Sequence, residues 1–382
     1  MLFPKNISNH GLICKLCGIL INMKKIVLTG GGTAGHCNPN LALVPVLKDQ
    51  GYDIVYIGSY AGIEKKLVEE AGLEYHGISS GKLRRYFDLQ NVTDVFRVIK
   101  GFGEAHSLLK KLAPDIVFSK GGFVSVPVVR AAHSLHIPVI IHESDMTPGL
   151  ANRLSFGAAQ KICCSFKETL SLLPEKKAVF TGSPVRRELF SGDAERAKRF
   201  SGLRDNDFPT ILVTGGSLGA ASVNEAVRHA LPELSKKYNI VHLCGRGKVD
   251  PTLNHVEGYV QYDYIDKELP DLFAMADLVI SRAGSNAIFE ILSLRIPNIL
   301  IPLPSKASRG DQEDNAASFK KQGYSYVIEN DQLSDETLLS GIEEVMGSRS
   351  RYIEAMARAP ESDAVNTICG LINDAVEKRM TT

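Results

Sequence analysis

The sequence predicts an α/β protein made of two doubly wound, Rossmann-like parallel-sheet domains. Three observations lead there. Short apolar, β-branched runs alternate with stretches of helical spacing. In the first half they include KIVLTG, DIVYIG, PDIVFSK and IPVIIHE, and in the second TILVTGG, NIVHLCG, ADLVISRAG and PNILIPL. Strands that alternate with helices form parallel sheets covered on both faces, which is why the runs are apolar almost throughout. Next, KIVLTGGGTAG at residues 25–35 matches TILVTGGSLGA at 210–220 as strand, paired glycines, small residues and helix. Two copies of one architecture explain that repetition better than one long sheet. Finally, 382 residues exceed one ordinary domain.

Taken in order, the first strand begins at once after Met23, so residues 1–22 read as an extension outside the fold, such as an upstream start codon would add. Lys15 interrupts its apolar part and no small-residue cleavage site follows, which argues against a signal peptide. A first domain is expected over residues 23–185 and a second over 186–362, with the boundary at the polar stretch TGSPVRRELFSGDAERAKRFSGLRDNDFP. Residues 363–382 carry apolar side chains at helical spacing and should end the chain as a helix.

Composition excludes several classes. Apolar residues make up 44% and charged residues 23%, ordinary for a globular protein. A formal net charge of +1 gives no global field for nucleic acid. No apolar run reaches the ~20 residues that span a bilayer. Of the seven cysteines only Cys14 and Cys17 have metal-like spacing, and no second pair completes a site; buried free thiols are expected.

The chemistry concentrates at strand ends. GGGTAG satisfies the dinucleotide pattern through Gly30, Gly32 and Gly35, but the next strand, ending VYIGSY, offers no acid for a ribose. No Gly-Lys-Ser/Thr follows, so the Walker pattern is absent too. Further clusters stand at Gly121 (GGFVSVP), His142 (HESDMTPG), Gly215 (GGSLGA) and Arg282 (RAGSNAIFE). Small residues at a helix start let backbone N–H groups approach an anion, and several such turns in both halves favour a phosphate-bearing ligand. His36 stands where a helix begins. The positive helix end favours neutral imidazole, which can accept a proton, but a histidine there can equally serve the backbone alone; position leaves both open.

Together, GGGTAGH, SGKLRRYF, SKGGFVSVP, HESDMTPGLANR, GSPVR, GGSLGA, ISRAGSNAIFE and DQEDNA resemble the undecaprenyl-diphospho-muramoylpentapeptide β-N-acetylglucosaminyltransferases, the MurG-type enzymes of peptidoglycan synthesis, from Met23 to the C-terminus. The resemblance implies a GT-B fold, two Rossmann-like domains facing a cleft, with the terminal helix crossing back to the first. It implies inverting transfer of N-acetylglucosamine (GlcNAc) from UDP-GlcNAc to the C4 hydroxyl of the MurNAc unit of undecaprenyl-diphospho-MurNAc-pentapeptide, in cell-wall biogenesis.

Residue roles follow by motif. Thr33, Ala34 and Gly35 would approach the donor; Arg186 and Ser217 its nucleotide and diphosphate; Ile265 the uracil; Glu290 the ribose hydroxyls; Gln312 the sugar. Gly121, Gly122 and Phe123 would hold the acceptor diphosphate. Ala34 departs from the usual glycine, CNPN after His36 is more polar than usual, and Asp145 replaces an asparagine found near the acceptor in some members. His36 is the candidate base. Arg186, Ser217 and the second glycine turn would stabilise the leaving UDP with no metal or other cofactor. DND at 205–207 reads as linker rather than as a metal motif.

The lipid acceptor implies peripheral attachment to the cytoplasmic face of the membrane. Lys82, Leu83, Arg84, Arg85, Tyr86 and Phe87 are the expected anionic-membrane patch, with a solvated basic loop as the other reading. The alternatives are a sister GT-B enzyme acting on another lipid such as diacylglycerol, a UDP-GlcNAc epimerase as a more distant relative, and a non-catalytic sugar-nucleotide-binding protein.

Overall fold

A computed structural model describes residues 12–13, 20–21, 23–81, 90–204, 206–216, 219–306, 309–360 and 363–381. Strands β1 (Leu12–Ile13) and β2 (Leu20–Ile21) pair antiparallel as a separate two-stranded sheet. The first large sheet contains β3 (Lys24–Thr29), β4 (Tyr52–Ser59), β5 (Glu74–Ile78), β6 (Ile116–Ser119), β7 (Val139–Glu143), β8 (Lys161–Cys164) and β9 (Ala178–Phe180), in the order β5-β4-β3-β6-β7-β8-β9. Helices α1 (Ala34–Asp49), α2 (Ile63–Glu70), α3 (Gln90–Leu112), α4 (Ser125–Ser134) and α5 (Leu150–Ser155) lie along this part of the chain.

The second sheet is parallel throughout. It contains β10 (Thr210–Thr214), β11 (Asn239–Leu243), β12 (Tyr259–Tyr262), β13 (Leu278–Ser281), β14 (Asn298–Leu300) and β15 (Tyr326–Val327), in the order β12-β11-β10-β13-β14-β15. Its helices are α6 (Ala194–Ser201), α7 (Ala221–Leu234), α8 (Leu269–Met275), α9 (Ser285–Leu294), α10 (Asp311–Lys321), α11 (Asp335–Gly347) and α12 (Arg349–Ala357); α13 (Ala364–Met380) ends the chain.

Both orders reverse direction beside their first strand. β3 lies between β4 and β6, and β10 between β11 and β13. Ligands of doubly wound sheets sit at such switch points, outside the carboxyl ends of the strands. Four quoted turns stand at these points: those after β3 and β6 in one sheet, and after β10 and β13 in the other.

The chain packs as two units. One comprises residues 1–142, Leu150–Cys163 and Val365–Thr382; the other comprises Glu143–Gly149 and Cys164–Ala364. This differs from the expected division at residue 185. Glu143–Gly149 leaves the first unit because its polar groups are satisfied by the start of α10, as described below. α13 packs with the first unit: Val365, Ile368, Cys369, Ile372 and Val376 form one apolar stripe in the same cluster as Ile26, Leu28, Ile116 and Phe118. Its polar side is pinned by Tyr52 Oη donating to Asn373 Oδ1 (2.7 Å) and Arg379 donating to the Pro114 carbonyl (2.9 Å). The described cysteines, Cys37, Cys163, Cys164, Cys244 and Cys369, are buried free thiols. Burial pushes the Cys37 thiol up to about 12.

Candidate active site

In the first unit, the turn after β3 is held from both sides. Gly32 has φ +91°, in the left-handed region that glycine favours. Glu64, fully buried on α2, accepts from Gly32 N (3.2 Å), Ser59 N (3.0 Å) and Ser59 Oγ (2.6 Å). A protein carboxylate thus takes an amide that a glycine-rich turn would otherwise offer to phosphate. Sequence reasoning looked for an acid at the end of β4 and missed Glu64, which lies five residues past Ser59 and reaches back. On the other side, Asn40 Nδ2 donates to the Thr29 carbonyl (3.1 Å), and Tyr56 Oη donates to the Gly30 carbonyl (2.7 Å).

His36 falls in the first turn of α1, its N–H donating to Thr33 O (3.2 Å). Its ring lies against the turn after β6. A Cβ on Gly122, which has φ +84°, would come within 3.1 Å of His36 Cδ2 and overlap the Gly31 carbonyl. Glycine is required there, and the structure brings His36 and Gly122 together. Thr33 is exposed, Gly35 half-buried, and Ala34 begins α1.

Gly121 N donates to Ser119 Oγ (3.2 Å) and Phe123 is half-buried. Asn152, on α5, packs under Gly121 and donates to the His142 carbonyl (3.2 Å). Beneath this turn Lys120 is 1% exposed and His142 0%, with Lys120 Nζ 2.7 Å from His142 Nδ1. The signal available in the sequence was a lysine closing an otherwise apolar strand, DIVFSK.

In the second unit, Arg186 bridges two carboxylates. Its NH1 is 3.3 Å from Asp266 Oδ1, and its Nε is 3.7 Å from Glu290 Oε1. Glu290 is on α9, with its side chain 15% exposed. Burial raises its carboxyl above the usual range and Asp266 adds to that, while Arg186 opposes it. Asp266, not singled out in the sequence, thus joins two predicted donor residues. Ile265 puts its side chain into the core with Leu272 and Phe273.

The second glycine turn is set by close approach, since a side chain on Gly219 (φ +67°) would strike the Cys244 carbonyl. Arg282 is committed to the protein, donating to the carbonyls of Ile301 (3.0 Å) and Pro302 (3.1 Å), to Asn330 Oδ1 (2.8 Å) and to Ser222 Oγ (2.9 Å). It ties the ends of β13 and β14 to the start of α7. Ser217 and Lys82, Leu83, Arg84, Arg85, Tyr86 and Phe87 lie outside the described residues.

Gln312, at the start of α10, accepts from Leu303 N (3.0 Å). Beside it Arg309 NH2 donates to Asp311 Oδ2 (2.9 Å) and Asp145 Oδ2 (3.2 Å). Asn315 Nδ2 donates to Asp145 Oδ1 (3.2 Å), and Asn315 Oδ1 accepts from Met146 N (3.0 Å). Glu143 closes the same segment by accepting from Asp145 N (3.1 Å) and Gly149 N (2.9 Å).

Two doubly wound sheets with glycine turns at their switch points and an acid–arginine group beside one of them define a class. Residues 26–164 match the glycosyltransferase family 28 N-terminal domain, and residues 210–368 the glycosyltransferase family 28 C-terminal domain. The chain is a glycosyltransferase with the GT-B fold. It is 60% identical over 352 residues to the UDP-N-acetylglucosamine–N-acetylmuramyl-(pentapeptide) pyrophosphoryl-undecaprenol N-acetylglucosamine transferase of Lachnoclostridium phytofermentans, covering 92% of this chain and 99% of that one. The enzyme of the same name from Lachnospira eligens is 57% identical, with the same coverage. The crystal structure of Acinetobacter baumannii MurG superposes with a TM-score of 0.72 at 24% identity, over 92% of this chain and 99% of that one. The chain belongs to the family of UDP-N-acetylglucosamine–N-acetylmuramyl-(pentapeptide) pyrophosphoryl-undecaprenol N-acetylglucosamine transferases.

Proposed function

We propose that the chain transfers GlcNAc from UDP-GlcNAc to the C4 hydroxyl of MurNAc-pentapeptide carried on undecaprenyl diphosphate, with inversion, forming the lipid-linked disaccharide-pentapeptide for the cell wall. The observation that carries this reading is the Arg186–Glu290–Asp266 group on the second unit, in a chain 60% identical to an enzyme of that name. Glu290 accepts hydrogen bonds from the ribose hydroxyls, Ile265 lines the uracil pocket, and Gln312, its Oε1 held by Leu303, offers Nε2 to the sugar. His36 takes the proton of the acceptor hydroxyl as the C4 oxygen attacks the anomeric carbon and the bond to UDP breaks. The leaving diphosphate is stabilised by Arg186, Ser217 and the second glycine turn, with no divalent ion in the step.

Incubation of the protein with UDP-GlcNAc and a short-chain muramoyl-pentapeptide lipid should yield UDP and the disaccharide lipid, and turnover should persist in EDTA. UDP release independent of the acceptor, or transfer to diacylglycerol instead, would overturn the reading. Activity lost in chelator and restored by Mg²⁺ would overturn the metal-free step.

The acceptor's tail also calls for docking on the cytoplasmic membrane face. Among the described residues no helix is long and apolar enough to cross a membrane. α3 follows directly on the basic segment and exposes Phe96 (68%) and Ile99 (62%) beside Arg97 and Lys100. Exposed apolar side chains suit a lipid surface, and the two neighbouring cations, which pair with Asp94 and Glu104, add a weaker attraction to anionic headgroups. Replacing Phe96 and Ile99 with Ser should weaken binding to anionic vesicles and spare turnover of a soluble acceptor. Unchanged vesicle binding would remove α3 from the docking surface.

A further inference from the structure

We infer that Asp266 is a positioning residue for the donor nucleotide: by holding the Arg186 guanidinium from the solvent side, it keeps the Glu290 carboxylate open to the ribose hydroxyls. The inference rests on the ribose role proposed above for Glu290. Arg186, directly before the short helical turn Arg187–Ser191, meets two carboxylates through different nitrogens. Its NH1 donates to Asp266 Oδ1 at 3.3 Å. Its Nε lies 3.7 Å from Glu290 Oε1 and, although buried, makes no hydrogen bond among the described residues. An arginine that closes on a carboxylate does so at about 2.7–2.9 Å, commonly through two parallel N–H bonds. The contact with Glu290 is therefore an ion pair that stops short of a hydrogen bond.

The two carboxylates differ in setting. The Glu290 side chain is 15% exposed and that of Asp266 48%. Opposite charges attract more strongly where water is scarce, so Arg186 alone would settle on Glu290. Asp266 supplies the opposing pull. The guanidinium is planar and rigid, so a hydrogen bond to Asp266 through NH1 limits the approach of Nε to Glu290. This matters because a bidentate arginine and a pair of vicinal hydroxyls ask for the same thing, lone pairs on both oxygens of one carboxylate. With Arg186 drawn toward Asp266, Glu290 keeps a cation beside it that favours its ionised form, and keeps its oxygens for the ribose.

Charge alone and positioning predict opposite signs. A carboxylate near an anionic nucleotide repels it, so a purely electrostatic Asp266 would give tighter UDP binding in Asp266→Ala. Positioning predicts the reverse. Asp266→Ala lets Arg186 close on Glu290 and should raise the Kd of UDP, measured by calorimetry, about tenfold, the scale of one hydrogen bond to a charged group. The loss for 2′-deoxy-UDP should be smaller, so the preference for UDP over 2′-deoxy-UDP should shrink. Asp266→Asn, which keeps an acceptor oxygen for NH1, should restore most of that preference. Both variants should melt near wild type, because a half-exposed ion pair adds little stability. Unchanged or tighter UDP binding in Asp266→Ala would overturn the inference. Equal losses for the two nucleotides would also overturn it, placing the effect at the diphosphate or in the fold. A wild-type protein that binds UDP and 2′-deoxy-UDP equally would instead remove the ribose role of Glu290, so the two failures are distinguishable.

Discussion

Glu290 and His36 are asked to do different work, and kinetics can separate them. The ribose takes no part in bond breaking, so Glu290→Ala should chiefly raise KM for UDP-GlcNAc and leave kcat largely intact. His36→Ala should chiefly lower kcat, by ~10²-fold or more if it removes the base. Steady-state kinetics with both substrates varied decides this, and a near-normal kcat for His36→Ala would take His36 out of the chemistry. The sequence brought both residues to notice through their motifs, but not their company. Asp266 pairs with Arg186 across 80 residues of chain, and Glu64 folds back onto a turn 32 residues earlier. Neither spacing has a periodicity, because a side chain that satisfies a distant backbone group answers to tertiary geometry alone.

At the scale of elements, Glu143–Gly149 is the segment whose allegiance matters most. It begins at the last residue of β7, yet its polar groups are met by Arg309, Asn315 and Asp314 around the start of α10. Asp145 is the hub, and its replacement by Ala leaves Arg309 and the Asn315 amide each short of an acceptor. In Asp145→Ala, amide hydrogen exchange at Met146 and Gly149 should quicken while the β10 amides keep their protection. KM for UDP-GlcNAc should rise severalfold, because Gln312 adjoins Asp311, which shares Arg309. Asp145→Asn, which keeps an acceptor oxygen, should have the smaller effect; equal effects would mean that the charge rather than the hydrogen bonds holds the segment. The helical spacing of residues 363–382 announced α13, but that spacing did not identify the surface its stripe covers; only the family resemblance pointed to the first domain. An apolar stripe states that a face will be buried and says nothing of the partner.

At the scale of the whole molecule, stability should carry the imprint of His242. This histidine on β11 is fully buried, with Nδ1 2.9 Å from Tyr259 Oη and Nε2 3.0 Å from Asn224 Oδ1. Desolvation, assisted by the nearby Arg228 cation, pushes it down to about 3 from the usual 6.5. Above pH ~6.5 both folded and unfolded chains hold it neutral and it adds no pH dependence. Between ~6.5 and about 3 only the unfolded chain takes up the proton, so stability falls as pH falls, by at most ~1.4 kcal/mol per pH unit from this group. Denaturant melts of His242→Gln and wild type from pH 7 to 4 should show a shallower decline in the variant; parallel curves would mean that His242 is protonated in the fold.

The sequence by itself determined the class of fold, two parallel sheets each with glycine turns at its strand ends, because apolar runs and their spacing follow directly from burial on both faces of a sheet. It also determined the family, since motifs that a site needs are short and contiguous. Tertiary structure decided that the turn after β3 is closed by the Glu64 carboxylate and that Lys120 and His142 meet in the interior. It decided that Arg282 donates to Ile301, Pro302, Asn330 and Ser222, and that residues 143–149 pack with the second unit. Each of these is an encounter between groups far apart in the chain. Their free energy exists only once both have been taken out of water, and the order of residues does not record that event.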